Sequence, residues 1–388
     1  WQSLRSSPER PFEGILRNEH EPRKALFAFL AEEVLDHIDS DQQQFLLKTS
    51  VLSVMDGESC DFLLDRTDSG EVLNSLFKAG LFVDELHPGV YRYHHLFHEF
   101  LETRLAAAPW IVQTLHRKLA SYFIANHFWE RAIDHLVKAG DYHGLNQVLE
   151  QVGERLVGEG LHTSLLFWID QVPQNMRLTF PFMQFLLGEV QRYIGHFEAA
   201  LNHYHAAEDL YTQAGNRWGI SKALRGQAQI YLDTIRPASA VQPLQDALAL
   251  LDPVESRDDM AGLLILIAEN QLNLGDPQEA ETYLLRAREL GADTGGEIDF
   301  VQARLLLRTG HIDEGIRLLE MKHTQEIDLK VIRPQRFHRE AALLLSLFYA
   351  FKGDLEHSEY YARLGISVGE HLGSVFVQSV GMMRLGHP

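Results

Sequence analysis

Sulfur is scarce in this chain: Cys60 is the only cysteine among 388 residues, so no internal disulfide can form. Long apolar runs are missing as well. The longest, residues 341–351, is interrupted by Ser346 and falls short of the roughly 18 residues that a bilayer-crossing helix takes. The N-terminal residues Trp1-Gln2-Ser3-Leu4-Arg5 lack the apolar stretch of a secretory signal. These three absences lead to the expectation of a reducing, cytoplasmic compartment and no membrane partner. Basic charge is in short supply too, with 35 Lys and Arg against 54 Asp and Glu and a net charge of −19. No basic run breaks the pattern, so phosphate backbones are repelled and direct contact with nucleic acid is not expected.

Catalytic signatures are absent in turn. No Gly-x-x-x-x-Gly-Lys-Ser/Thr loop occurs, so the chain cannot hold or hydrolyse a nucleotide unaided. No Gly-x-Ser-x-Gly occurs either, and Cys60 reads as part of a short polar connection rather than as a nucleophile. His94, His95, His98 and Glu99 cluster in sequence, but the order His-x-x-His-Glu matches neither metalloprotease helix pattern and no second ligand group accompanies it. The expectation is a chain that is not an enzyme and holds no metal or cofactor.

What is present is an ordinary globular composition, 45% hydrophobic and 23% charged, in a chain too long for one compact core unless a repeat spreads that core lengthwise. A repeat is there. Gly188, Ala200 and Ala207 recur 40 residues later as Ala228, Ala240 and Ala247, and 40 later again as Ala268, Ala280 and Ala287. Two helices packed as an antiparallel hairpin approach closely only where the side chain is little more than a methyl. The turns Ile194-Gly195-His196, Ile235-Arg236-Pro237 and Leu274-Gly275-Asp276-Pro277 then separate the two helices of each unit. Degenerate copies follow at Ala303, Gly315 and Lys322 and at Ser346, Ser358 and Gly365, and an upstream copy sits at Ala120, Ala132 and Ala139. The pattern is tetratricopeptide-like, with a period nearer 40 than the usual ~34. Residues 143–157 and 162–169 carry helical periodicity outside the triplet and add one further hairpin. The chain starts at Trp1 and ends at Gly386-His387-Pro388 without a closing amphipathic helix, as if excised from something longer.

The first hundred residues read differently. Helices are expected over 25–38 and over 41–49, the second capped by Ser40 with Gln43 in a capping box. A third helix starts at Asp68 with Glu71 and ends at Gly80. Residues 81–86 and 90–93 flank the turn His87-Pro88-Gly89 and form a hairpin wing. Helices followed by a two-stranded wing describe a winged helix. Its presumptive recognition helix, residues 71–78, offers Lys78 against Glu71 and no basic face, which argues against DNA reading. The fold expected overall is mainly α, a winged-helix domain followed by a tetratricopeptide-like α-α superhelix.

Three segments carry a family resemblance: Phe29-Leu30-Ala31-Glu32-Glu33-Val34-Leu35, Phe45-Leu46-Leu47-Lys48-Thr49-Ser50-Val51-Leu52, and Tyr91-Arg92-Tyr93-His94-His95-Leu96-Phe97-His98-Glu99-Phe100-Leu101. In wording, order and spacing they resemble the STAND ATPase regulators of the LuxR and maltose-regulator type. Leu115-His116-Arg117-Lys118-Leu119-Ala120 and Ala132-Ile133-Asp134-His135 resemble the start of that family's sensor. The resemblance implies that residues 1–24 end a preceding ATPase helical domain, that 25–106 form the winged helix, that 107–180 are a helical linker with the first hairpins, and that 181–388 are the repeat sensor. It further implies a switch in a longer parent that binds ATP or ADP, with an upstream nucleotide-binding domain as partner. His94 stands where related ATPases carry a histidine that reaches the ADP phosphate. The following Asp of that motif is His95 here, which departs from the pattern.

In such arrays the first helix of each pair lines the concave side, at the positions one and five beyond the first small residue. Those positions are Glu189 and Tyr193, Gln229 and Asp233, Glu269 and Asn273, and Arg304 and Arg308, with Arg192 and Arg225 adjacent. Apolar packing would not select these types, whereas a groove for an inducer, be it small molecule, peptide or protein, would. Trp168, Trp218 and Phe167 read as core. A free-standing tetratricopeptide adaptor that holds protein complexes together without nucleotide switching is the other reading.

Overall fold

The computed structural model describes residues 37–291, 296–323, 336–371 and 375–386, together with Glu32, Glu33 and Leu35. Residues 1–24 and most of the helix expected over 25–38 lie outside the described residues. Two compact units divide the chain, residues 1–148 and 149–388, and each is taken by itself.

The first unit opens with α1 (Ser40–Thr49), whose N-cap is Asp39 rather than Ser40: the Asp39 carboxylate accepts from the Gln42 amide at 2.8 Å. A charged acceptor suits the positive end of a helix better than a hydroxyl, and Gln43 instead donates its side-chain amide to the Leu35 carbonyl at 2.7 Å. Strand β1 (Met55–Asp56) and helix α2 (Gly57–Leu64) follow, the helix started by a capping box between Asp56 and Ser59. Cys60 therefore sits within a helix and is fully buried, which corrects its placement in a polar connection. Burial first, then the field of Asp56, pushes its thiol up to about 12.

Helix α3 (Ser69–Lys78) begins after Asp68, as expected, but that carboxylate is taken by Arg66 and makes no side-chain cap. The wing is β2 (Val83–His87) and β3 (Val90–Tyr93). β1 adds to the far side of β3, giving a three-stranded antiparallel sheet of order β1-β3-β2. A strand of two residues leaves no alternation to read in a sequence. Helix α4 (His95–Leu105) closes the winged helix. Phe45, Leu46, Met55, Leu73, Leu76, Phe97 and Leu101 are each at most 1% exposed, and full burial of such a side chain contributes about 1.5–3 kcal/mol. Thr49 Oγ1, buried in this core, donates to the Phe45 carbonyl at 2.7 Å and lies 2.6 Å from Tyr93 Oη, which donates to it. The unit continues into a hairpin of α5 (Pro109–Ala125) and α6 (Trp129–Ala139), packed through the buried Ala120, Ala132 and Ala139.

The division between the units falls within α7 (Tyr142–Gly158). The second unit then runs through α8 (His162–Asp170) and α9 (Gln174–Arg177) into successive hairpins. These are α10 (Pro181–Tyr193) with α11 (Phe197–Gln213), α12 (Arg217–Asp233) with α13 (Pro237–Leu250), and α14 (Arg257–Leu274) with α15 (Pro277–Leu290). Next come α16 (Glu297–Thr309) with α17 (Ile312–His323) and α18 (Arg336–Lys352) with α19 (Leu355–His371). Each helix packs on the next. The alanines at 200, 207, 228, 240, 247, 268, 280 and 287 are at most 1% exposed, so the small residues mark the crossings. Among the degenerate positions Ala303, Ser346 and Ser358 are buried, while the side chain of Lys322 lies outside the described residues.

Tyr204, fully buried, shows why nothing larger fits. A Cβ added at Gly188 on α10 would stand 2.7 Å from its ring, and one added at Gly226 on α12 would overlap it. The ring thus fills the space that two glycines on successive first helices leave open. In the turns within hairpins Gly195, Gly275, Gly310 and Gly353 all take positive φ, but the second hairpin places Ile235 there at φ 56°. A β-branched side chain in that region is strained, and Ile235 is 89% exposed, so no packing offsets the strain.

One expectation fails at the end of the chain. Helix α20 (Val375–Leu385) packs on α19 and α18 with Val377 buried, so a closing helix exists. Its contacts run through Gly369 and Gly381, where an added Cβ would clash with Gln378 and Ile366. Small residues at the crossing make a closing helix with little apolar periodicity, which hides it from a pattern search.

Candidate functional site

The first helices of the hairpins in the second unit bring most of the polar row together in two clusters. In one, Arg192 lies 3.1 Å from Glu189 on its own helix α10 and 3.3 Å from Asp233 on α12. Gln229 donates to Asp233 at 3.2 Å, and the Arg192 guanidinium stands 4.7 Å over the Tyr193 ring. Tyr204 donates its hydroxyl to Glu189 at 2.6 Å from below. Burial acts against the Arg192 charge, and the fields of the carboxylates Glu189 and Asp233 outweigh it, so the guanidinium pKa is raised. Burial and Glu189 together raise Tyr204 as well, which keeps its hydroxyl a donor at neutral pH. In the other cluster Arg304 on α16 pairs with Glu269 on α14 and donates to Asn273 at 3.1 Å. Glu269 is 8% exposed.

Arg225 and Arg308 belong to neither cluster. Both are exposed, and among the described residues neither makes an ion pair. Arg225 lines a shallow hollow with Trp218, Lys222 and Asp259. Trp218 donates its indole N–H to Asp259 at 2.6 Å, and Lys222, ion-paired to Glu154, sits 4.2 Å over the indole ring. Trp218 is 38% exposed and Phe167 60%, whereas Trp168 is 4% exposed, so of the three aromatics read as core only Trp168 is buried. The reading of the row missed Trp218, Lys222 and Asp259. The signal was the spacing 218, 222, 225, 229, which continues one face of α12 back from Gln229 toward its N-terminus.

His94 stands immediately before α4. Its amide donates to the Phe82 carbonyl at 2.8 Å, and its carbonyl accepts from the amides of Phe97 and His98 at 2.9 Å. The ring is half-buried and lies 4.5 Å, centroid to centroid, from that of His95. The next turn of α4 is tied to α1, since His98 Nε2 lies 2.6 Å from the Ser50 carbonyl. Among the described residues no group of three or more His, Cys, Asp and Glu side chains is arranged to hold a metal, and no helix is long and apolar enough to cross a membrane.

A winged helix in one unit and stacked small-residue hairpins carrying a polar row in the other define a class by fold: a winged helix followed by a tetratricopeptide-like array. Residues 31–109 match the MalT winged helix domain. The chain is similar to the HTH-type transcriptional regulator MalT of Vibrio campbellii, 26% identical over 324 residues covering 78% of this chain and 36% of that protein. It is 28% identical over 234 residues to the serine/threonine-protein kinase PknK of Mycobacterium tuberculosis, covering 57% of this chain and 21% of the kinase. Among solved structures it resembles a Signal Transduction ATPase with Numerous Domains (STAND) protein with a tetratricopeptide repeat sensor from Pyrococcus horikoshii. That match has a TM-score of 0.54 at 14% identity and covers 99% of this chain and 64% of the other. The chain spans about a third of the length of the MalT relatives, 36% for the Vibrio campbellii protein.

Proposed function

We propose that this chain is the signal-sensing part of a cytoplasmic STAND regulator, in which the repeat array binds an inducer and the winged helix passes its state to a nucleotide-binding domain in a longer parent. The observation that carries this reading is succession: a MalT winged helix over residues 31–109 runs directly into tetratricopeptide-like hairpins. The inducer, a small molecule, peptide or protein, meets the row from Glu189 to Arg308, where Arg225 and Arg308 supply the exposed charges. His94 contributes to the switch by donating an imidazole hydrogen bond to the phosphate of ADP bound in the parent. Its place at the N-terminal end of α4 supports that role, because the helix amides and dipole there favour an anion. ATP in place of ADP releases that contact. The chain itself is not the enzyme and does not read DNA.

Reading the parent gene tests the partner: a Walker loop must precede the winged helix. The sensing role is tested by thermal denaturation against a panel of oligosaccharides and peptides. A saturable rise in Tm that Arg225→Glu or Arg308→Glu removes supports the row as the ligand face. No saturable shift from any compound, in a chain that unfolds cooperatively, rejects a small-molecule or peptide inducer.

One observation favours the adaptor reading. The ion pairs Arg192–Asp233 and Glu269–Arg304 join successive hairpins and can serve as staples of a rigid scaffold. Charge-swap variants separate the two: a staple is restored by exchanging both partners, a ligand contact is not.

A further inference from the structure

Helix α6 places Arg131, Asp134, His135 and Lys138 on one stripe, three to four residues apart. That stripe faces residues 51–54, the loop between α1 and β1, across a cleft of about 70 Å³ floored by Phe123. A water needs only about 10–15 Å³ on that measure, so the cleft has room for several waters or for one tetrahedral anion.

The charge balance in the cleft is unusual for a chain of net charge −19. Several other cations of the first unit are neutralised, Arg66 by Asp41 and Asp68, Arg92 by Asp84, Arg104 by Glu32 and Lys118 by Asp65. Among the described residues Arg131 and Lys138 make no ion pair. Arg131 is held instead over the rings of Phe123 and Phe128, at 5.6 and 5.7 Å from their centroids, a cation–π contact that fixes its position without supplying a counter-charge. Asp134 is the one carboxylate that lines the cleft with Arg131 and Lys138.

Behind this wall lies a buried pair of histidines. His116 Nδ1 and His135 Nδ1 are 2.8 Å apart, and the His135 ring stacks on Phe123 at 5.3 Å. In a neutral pair one Nδ1–H donates to the other ring's lone pair, so one ring carries its proton on Nδ1 and the other on Nε2. When His135 is the acceptor, its Nε2–H becomes a third donor beside the two cations. The positive field in the cleft is felt by the pair itself: after burial, Lys138 lowers the basicity of His116, and His116, Lys138 and Arg131 lower that of His135.

We propose that this cleft is a binding site for a phosphate-class oxyanion, held by Arg131, Lys138 and the Nε2–H of His135. It is separate from the concave row and from His94. Its position gives it leverage nonetheless, since the loop it touches follows Ser50, whose carbonyl is bonded by His98 of α4. An anion seated there draws α6 and the winged-helix loop toward a common centre. The phosphoryl group has two possible sources, free phosphate or a nucleotide.

The test uses the whole chain with inorganic phosphate, ADP and adenosine at constant ionic strength, read by imidazole resonances in NMR and by calorimetry. Phosphate is expected to bind saturably and to shift the His135 and His116 resonances. Lys138→Gln and Arg131→Gln should each weaken it by about tenfold or more, as the loss of a charge-assisted contact does. Both residues are exposed, so the fold is expected to survive, with circular dichroism as the check. If Arg131→Gln disturbs the Phe123 stack, Lys138→Gln alone decides. ADP binding more tightly than phosphate while adenosine is inert assigns the phosphoryl group to a nucleotide, and equal or weaker ADP binding assigns it to a free oxyanion. Unmoved imidazole resonances, or shifts that persist unchanged in Lys138→Gln, overturn the site.

Discussion

Lowering the pH should destabilise the first unit through His116 and His135 before its carboxylates begin to titrate. Both rings are buried, 6% and 8% exposed, and share the 2.8 Å contact between their Nδ1 atoms. Burial first and the Lys138 charge second bring His116 down to about 4. Burial, His116, Lys138 and Arg131 bring His135 down to about 3. In the unfolded chain both titrate near the ordinary value of about 6.5. As pH falls through 6.5 the unfolded chain takes up two protons that the fold excludes, so stability falls with pH, to about pH 4 through His116 and about pH 3 through His135. Between pH 8 and pH 5 the loss comes to about 2 kcal/mol for each imidazole. Urea unfolding followed by the near-ultraviolet signal of the first unit, at pH 7.5 and pH 5, measures it. His116→Gln keeps a hydrogen-bonding group in place but cannot titrate, and should remove about half of the pH dependence. An unchanged slope in that variant, or the resonance of His116 or His135 itself titrating near 6.5 in the native state, would refute the reasoning.

Two further predictions concern the second unit. Gly226→Ala forces a methyl into the Tyr204 ring and should cost about 1–3 kcal/mol by overpacking, seen as a lower denaturant midpoint; Tyr204→Leu in the same background should recover part of it. Arg304→Ala removes the counter-charge of the buried Glu269 and should cost about 2 kcal/mol, with Glu269→Gln restoring most of the loss in a double-mutant cycle.

Much of the second unit is legible in the sequence, because its architecture rests on a short-range rule repeated in register. Ala200 and Ala207, Ala240 and Ala247, and Ala280 and Ala287 are small for one reason, the distance between two helix axes, and that distance leaves the same mark wherever it recurs. The wing was legible through His87-Pro88-Gly89, since proline and glycine have few other uses at that spacing. Helix α2 was not legible, because the Asp56 and Ser59 that start it are also turn formers, and only packing of Cys60 and Leu63 into the core tells the two apart. Helix α20 escaped for the opposite reason: the glycines that let it dock also erase its periodicity.

The candidate site divides in the same way. Sequence placed Glu189, Asp233, Glu269 and Arg304 on one row, because helical periodicity dictates the face a residue occupies. Which of them pair was decided only by tertiary structure, since Arg192 reaches Asp233 across 41 residues and Arg304 reaches Glu269 across 35. The same holds for His116 and His135, 19 residues apart, whose motif was visible while their contact was not. A period is a local property of the chain and is written in its sequence. Pairings, and the fields and depressed basicities that follow from them, depend on distances through space that only the packed fold sets.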